Sequence, residues 1–303
     1  MNEHKDFYDN ISDNEIRVIG SHLSQSPDGA KPSEKNAPSG KQRQWWWWAI
    51  LAAIVVATAC TVLCMLLMGK DAPDEEPAAD VSQSYETVAI DSLVMTHEDA
   101  PAYCEERNDT VNDIILHIVT PLGCAPKLHL GRLPENDTTM IMAVQAADVR
   151  GDNGEIAGAY IYEGELKSKG KSKLGFCAIV GNEITLGRQA ETPLFERAIE
   201  ENGYFFRQYS LVNEGKMIDI KPKGKSLRRA LCCYEGRIVI IETAERESYH
   251  DFSQALADLG VEEALSLVGG EAQFHYTTAD GTNHRIGTDV SDRYENVNYI
   301  VWR

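Results

Sequence analysis

The run from Trp45 to Met68 constrains this chain more than any other feature: twenty-four consecutive residues without a charge, a proline or a glycine. As a helix it would reach roughly 36 Å at about 1.5 Å per residue. That exceeds the roughly 30 Å hydrocarbon core of a bilayer, and a modest tilt absorbs the surplus. A helix buried in a soluble core seldom goes so long without a polar face. Trp45 to Trp48 open the run, and indoles suit the water–lipid boundary, where the N–H stays wet and the ring enters lipid. Residues 45–68 therefore read as a transmembrane helix, with the lipid bilayer as its partner.

The flanks orient that helix. Lys31, Lys35, Lys41 and Arg43 precede it, whereas Lys70 is outnumbered after it by Asp71, Asp74, Glu75 and Glu76. Basic flanks stay in the cytoplasm. Residues 1–44 are then a cytoplasmic tail, polar and without a packable core, which predicts disorder. So long a tail before the apolar run favours an uncleaved signal-anchor over a cleaved leader. Residues 69–84 read as an acidic linker. Residues 85–303 form an extracytoplasmic domain, placed in the periplasm of a bacterial envelope.

The charge belongs to that domain. The tail holds seven acids and six bases, so seventeen of the eighteen net negative charges lie beyond it. Nucleic-acid phosphates would repel such a domain, which excludes them as general partners. Five cysteines fall in the domain. Cys104 and Cys124 bracket a short segment and are expected to be able to pair in an oxidising compartment. Cys177, Cys232 and Cys233 sit in apolar runs and read as small buried hydrophobes. No Cys or His spacing suits zinc, and no cofactor is implied.

From residue 85 the pattern is α+β: a mixed, strand-rich domain with a few helices. Apolar β-prone runs occur at residues 114–119, 139–144, 157–162, 174–180, 230–234, 237–243, 264–268 and 300–302. Glu163-Gly164, Gly181-Asn182 and Glu235-Gly236 supply turns. Thr192-Pro193 predicts a helix start with Gly203 as its stop. Ser248 and Asp251 predict a second start; Phe252, Leu256 and Leu259 then share a face, and Gly260 ends the helix.

General motifs give no chemistry. The Gly-Lys-Ser triplets at 170–172 and 224–226 lack the upstream glycine of a phosphate loop. There is no Gly-x-Ser-x-Gly elbow. Asp280-Gly281-Thr282-Asn283 lacks calcium-loop spacing and reads as a hairpin tip. His250 and His275 read as solvated or structural.

The order of elements in the C-terminal half is more informative. Arg228-Arg229-Ala230-Leu231 leads into a hairpin, the capped helix follows, and a short strand then delivers Gly269-Gly270. Upstream lie residues 202–206 and 211–215, and before them Gln145-Ala146-Ala147-Asp148. Over roughly residues 139–303 this order resembles the phosphodiester glycosidase family. In that family an Arg precedes a hairpin, and a helix then delivers an Asp-Gly-Gly-Gly-Ser loop to the active site. The chain departs from the pattern at Val268-Gly269-Gly270-Glu271-Ala272, which lacks the loop's Asp and Ser. Asp148 stands where the family has Asn, and Thr243-Ala244-Glu245-Arg246 replaces an Asp-Gly-Arg stretch.

The resemblance implies an anion site. Arg229 would hold a phosphate bidentately, helped by Arg246, and Gly269 and Gly270 would bring backbone N–H groups close to the ligand. Asp148 and Glu271 are the candidate acid and base, with Glu245 a weaker third. Two functions follow: a membrane-anchored hydrolase acting on a sugar-phosphate diester or related envelope glycan, or a glycan-binding or scaffold module that keeps the fold and has lost the chemistry.

Overall fold

The computed structural model describes residues 85–95, 101–134, 137–170, 173–220, 224–289, 291 and 293–303. The tail, the apolar run 45–68 and the acidic linker lie outside the described residues. No helix among the described residues is long and apolar enough to cross a membrane.

The described chain opens with β1 (Tyr85–Ala89), α1 (Ile90–Met95), β2 (Tyr103–Val111), β3 (Ile114–Leu122), β4 (Pro126–Leu130) and β5 (Met142–Gln145). It continues through β6 (Ala159–Tyr162), β7 (Glu165–Lys169), β8 (Gly175–Val180), β9 (Glu183–Arg188), α2 (Pro193–Glu200), β10 (Tyr204–Gln208), β11 (Ser210–Asn213) and β12 (Lys216–Met217). It closes with β13 (Ser226–Tyr234), β14 (Arg237–Glu247), α3 (Tyr249–Leu259), β15 (Glu263–Leu267), β16 (Phe274–Thr277), β17 (Asn283–Ile286) and β18 (Asn298–Trp302). These strands build three antiparallel sheets, ordered β1-β9-β8-β10-β6-β7, β12-β11-β15-β13-β14-β3-β2 and β17-β16-β5-β18-β4.

The sheets share one core. Leu186 and Phe206 from the first, Leu231 and Ile240 from the second, and Val144 and Trp302 from the third belong to a single apolar cluster. The outer face of the second sheet is covered by α3, whose Phe252, Ala255 and Leu256 pack on Ala230 and Ile241. Burying a side chain such as Phe252, fully inaccessible here, stabilises by roughly 1.5–3 kcal/mol. The first sheet is covered by α2 through Leu194 and Ala198. Sheets with both faces covered explain the unbroken apolar runs in the sequence. They also make alternation along β13 decisive: Leu231 and Cys233 face the shared core, while Ala230 and Cys232 face α3.

Most predicted elements are present with shifted ends. The run 139–144 becomes β5 only from Met142, because Asp137 caps Thr139 through its backbone N–H and hydroxyl. The run 114–119 extends to Leu122. Thr192 caps α2 as expected, with Leu194 N donating to its hydroxyl at 3.4 Å, but the helix ends at Glu200, with Glu201 as its C-cap, ahead of Gly203. Asn202 takes a positive φ of 55° and turns the chain first. Ser248 caps α3 by accepting from Asp251 N at 3.0 Å, and Gly260 closes it at φ 96°. The Asp280-Gly281 tip joins β16 to β17.

The proposed Cys104–Cys124 bridge is not formed; both thiols are free, as are Cys177, Cys232 and Cys233. Both side chains point into the shared core, and Cys104 Sγ donates to the Ile141 carbonyl at 4.0 Å. Burial pushes both thiols up, Cys124 to about 12. Thiols held protonated in this way are poor nucleophiles for exchange.

One buried acid predicts a pH effect. Glu263 is 2% exposed and accepts from Glu214 N at 2.9 Å. Burial raises its carboxyl from 4.5 to about 8, and Glu86 and Glu214 add to the rise. The folded chain therefore keeps a proton that the unfolded chain releases between these values, and stability falls as pH rises from 4.5 towards 8, by up to roughly 1.4 kcal/mol per pH unit. Glu263→Gln keeps the acceptor and should flatten this slope in chemical denaturation across that window. An unchanged slope would contradict the assignment.

Candidate functional site

Strand register aligns the end of β5, which leads to Asp148, with the start of β16, which follows the Gly269-Gly270 turn. Val144 pairs with Phe274 in an antiparallel ladder, and Gln145 N donates to Gln273 O at 3.2 Å. The chain leaving β5 towards Asp148 thus lies level with the chain entering β16 from Gly269, Gly270 and Glu271. Asn298, fully buried, fixes the first of these segments: its Oδ1 accepts from Ala147 N at 2.8 Å and its Nδ2 donates to Ala147 O at 3.1 Å.

The second segment is a turn held from below. Gly270 N donates to Leu227 O at 3.1 Å, Ala272 N to Gly269 O at 3.2 Å, and Thr288 N to Glu271 O at 2.8 Å. Arg229 clamps both ends of the turn, with Nη1 at 3.1 Å from Val268 O and 3.3 Å from Ala272 O. Its Nε and Nη2 are engaged by Glu242, and its Cζ lies 4.9 Å from the centre of the Phe274 ring. The side chain of Arg229 has no exposure. Alternation on β13 explains this, since Arg229 shares the inward face of Leu231 and Cys233. Arg229 is thus closed inside the core, where it holds the turn, with its buried Nη2 ion-paired to Glu242.

Arg228 takes the other face, against α3. Its Nε donates to Glu247 O at 2.8 Å and its Nη2 to Gly224 O at 2.7 Å, while its Cζ stacks 3.6 Å from the centre of the Tyr249 ring. Burial lowers its guanidinium below the usual arginine value, and Tyr249 opposes that change.

Asp148 carries a partner that sequence reasoning missed. Its Oδ2 accepts from Lys173 Nζ at 2.6 Å, and the same ammonium donates to Gln208 Oε1 at 2.8 Å and lies 4.9 Å from the centre of the Tyr209 ring. The Lys173 side chain is 5% exposed and that of Asp148 13%, so the acid is the outer member of the pair. Glu271 is exposed, as are Glu245 and Arg246. Arg246 pairs through its backbone with Leu227, beneath the Gly269-Gly270 turn. No group of three or more His, Cys, Asp or Glu side chains among the described residues is placed to hold a metal ion.

The register thus joins Arg229, Gly269, Gly270 and the backbone of Glu271 at one turn. It does not set two free carboxyl groups on either side of a bond: Asp148 is ion-paired and Glu271 stands in solvent. Lys173, Gln208, Glu242 and Tyr249 are the polar residues that decide the local electrostatics. Glu242, an acid within the apolar stretch of β14, carried a sequence signal; Lys173, at the head of an apolar strand, carried none.

No family model and no curated protein matches the chain. Among solved structures, the catalytic domain of zebrafish N-acetylglucosamine-1-phosphodiester alpha-N-acetylglucosaminidase, auto-inhibited by its pro-peptide, aligns with 72% of this chain and 87% of that one. The TM-score is 0.50 at 14% identity. A hypothetical protein from Synechocystis aligns with 67% of this chain and 62% of its own, at 12% identity and a TM-score of 0.44. The described domain has a phosphodiester glycosidase-like fold.

Proposed function

We propose that this domain is a glycan-binding module built on a phosphodiester glycosidase-like fold and held to a membrane by residues 45–68. The observation that carries the reading is internal neutralisation: Asp148 is ion-paired to Lys173, and Arg229 to Glu242. Bond cleavage between sugar and phosphate needs a carboxyl group able to give or take a proton at the reacting atoms. An acid held by a buried ammonium and an arginine closed inside the core leave that task unfilled. Val268 and Ala272, where the resembling family has Asp and Ser, point the same way.

The hydrolase reading has one observation in its favour. Glu271 is an exposed carboxyl beside the Gly269-Gly270 turn. The two readings separate on the full-length chain titrated with a panel of sugar-1-phosphate diesters. Saturable binding, with each diester recovered intact, is the expected result. Turnover that disappears in Glu271→Gln would replace the binding reading by the hydrolase.

The membrane placement is tested separately. Protease added to intact spheroplasts should digest the domain and spare residues 1–44, because the basic flank precedes Trp45. A protected domain would reverse the topology.

A further inference from the structure

The acceptor triplet for N-linked sugar, Asn-x-Ser or Asn-x-Thr without proline between, stands at Asn10-Ile11-Ser12, Asn108-Asp109-Thr110 and Asn136-Asp137-Thr138. Asn10 and Asn136 lie outside the described residues. Asn108 lies in β2, the outermost strand of the second sheet and nine residues long. One side of β2 pairs with β3, Asn108 opposite His117. Beyond a bridge from Cys104 to Thr278, its other side pairs with no strand among the described residues. Residues two apart on a strand share a face, so Glu106, Asn108 and Thr110 point the same way. The inner end of that row is engaged: Glu106 accepts from Tyr276 Oη at 2.5 Å and lies 3.2 Å from His117 Nε2. The outer end is free. Asn108 and Thr110 are exposed, and no described residue hydrogen-bonds the Asn108 carboxamide or the Thr110 hydroxyl. Asp109 between them is turned back on its neighbours, accepting from Arg107 Nη1 at 3.0 Å and from Thr110 N at 2.8 Å.

We propose that Asn108 is a glycosylation site, modified outside the membrane by an oligosaccharyl transferase that uses a lipid-linked glycosyl diphosphate. The proposal rests on the topology given above and is independent of what the domain itself binds. In the transfer the Asn108 carboxamide nitrogen attacks C1 of the sugar. The N–C1 bond forms as the C1–O bond breaks, and the lipid diphosphate leaves with that electron pair and the proton the nitrogen gives up. The fold accommodates the product, because a saccharide on Asn108 extends into solvent and breaks no side-chain bond. It also covers what the sheet leaves open. A long edge strand offers its unpaired backbone N–H and C=O groups to another chain, and a bulky hydrated branch on β2 blocks that approach. Asn10-Ile11-Ser12 falls in the cytoplasmic tail, on the wrong side of the membrane for the same transfer.

Peptide mass mapping of the full-length chain, purified from the membranes of its own host, tests this. The tryptic peptide of residues 108–127 holds Asn108 as its sole acceptor triplet and should carry sugar, with fragmentation placing it on Asn108. The peptide of residues 6–17, which holds Asn10, should have its sequence mass. Asn108→Gln and Thr110→Ala should each abolish the modification, whereas Thr110→Ser should keep it, because the acceptor triplet needs a hydroxyl at its third position. Both positions are exposed and without a side-chain bond to lose, so all three variants should fold. A peptide 108–127 of unmodified mass, in a chain whose domain is digested in the spheroplast assay, overturns the proposal and leaves the topology standing. A protected domain in that assay removes both. Sugar on Thr110 or Thr120 in place of Asn108, sugar retained in Thr110→Ala, or sugar on Asn10 also overturns it.

Discussion

Arg229→Met is expected to destabilise the domain by about 3–5 kcal/mol, the range for breaking a buried ion pair from one side. Glu242, 7% exposed, would keep its charge in the core with no counter-ion, and the carbonyls of Val268 and Ala272 would lose their donor. The change should appear as a lower denaturant midpoint with an unchanged slope. Adding Glu242→Leu should recover much of the loss, because a well-packed apolar pair is often as stable as the ion pair it replaces. Arg229→Lys should fall between wild type and Arg229→Met, since one ammonium cannot reach a carboxylate and two carbonyls on separate segments. A loss below about 1 kcal/mol in Arg229→Met would show that the arginine is not the clamp described above.

The second large effect is expected at Gly269. A Cβ there would stand 2.5 Å from the Leu227 carbonyl oxygen and 3.4 Å from Arg229 N, both backbone atoms that cannot swing aside. Gly269→Ala should therefore push the turn off β13 and cost about 2–3 kcal/mol, the scale of overpacking in a close-packed interior. Gly270 differs in kind. Its φ of 64° is left-handed, but a Cβ would meet only Ser226 Oγ, at 3.5 Å. Gly270→Ala should cost about 1–2 kcal/mol, the penalty of that conformation for an L-residue. Thermal or chemical denaturation of the two variants should rank Gly269 above Gly270; the reverse order would mean that conformation, not crowding, fixes the turn.

The Arg229–Glu242 pair is legible in the hairpin's own residues. Glu235-Gly236 is a two-residue turn with both residues at positive φ, so it pairs Tyr234 with Arg237 and sets the register as far as Arg229, beyond which the pairing shifts. Counting back from that turn places Arg229 opposite Glu242, an acid in an otherwise apolar run. Alternation from buried Leu231 then puts Arg229 inward. The resemblance to a glycosidase assigned Arg229 to a ligand, and the arithmetic of the hairpin assigns it to the core.

The Asp148–Lys173 pair could not be read in that way. Asp148 follows β5 in the third sheet and Lys173 precedes β8 in the first, and they meet only because three sheets share one core. No local period or turn encodes such a contact. The same holds for the contact of Tyr209 with Tyr249, whose rings come from the link between two sheets and from the first turn of a helix. Capped α3, the β13–β14 hairpin and the strand before the glycine pair were legible because each is fixed by neighbours in sequence. The ends of β5 and α2 were missed for a related reason: Asp137 and Asn202 turn the chain through local polar contacts and a positive φ, and neither changes the apolar pattern.

Single-turnover phosphorus NMR tests the central claim most directly. The full-length chain, in molar excess over a sugar-1-phosphate diester that it binds, should shift or broaden the diester resonance within mixing time. That resonance should then keep its full intensity for a day at neutral pH, because Asp148 and Arg229 are held by Lys173 and Glu242. A monoester resonance growing at the expense of the diester, and absent with heat-denatured protein, would contradict the account and make the domain an enzyme.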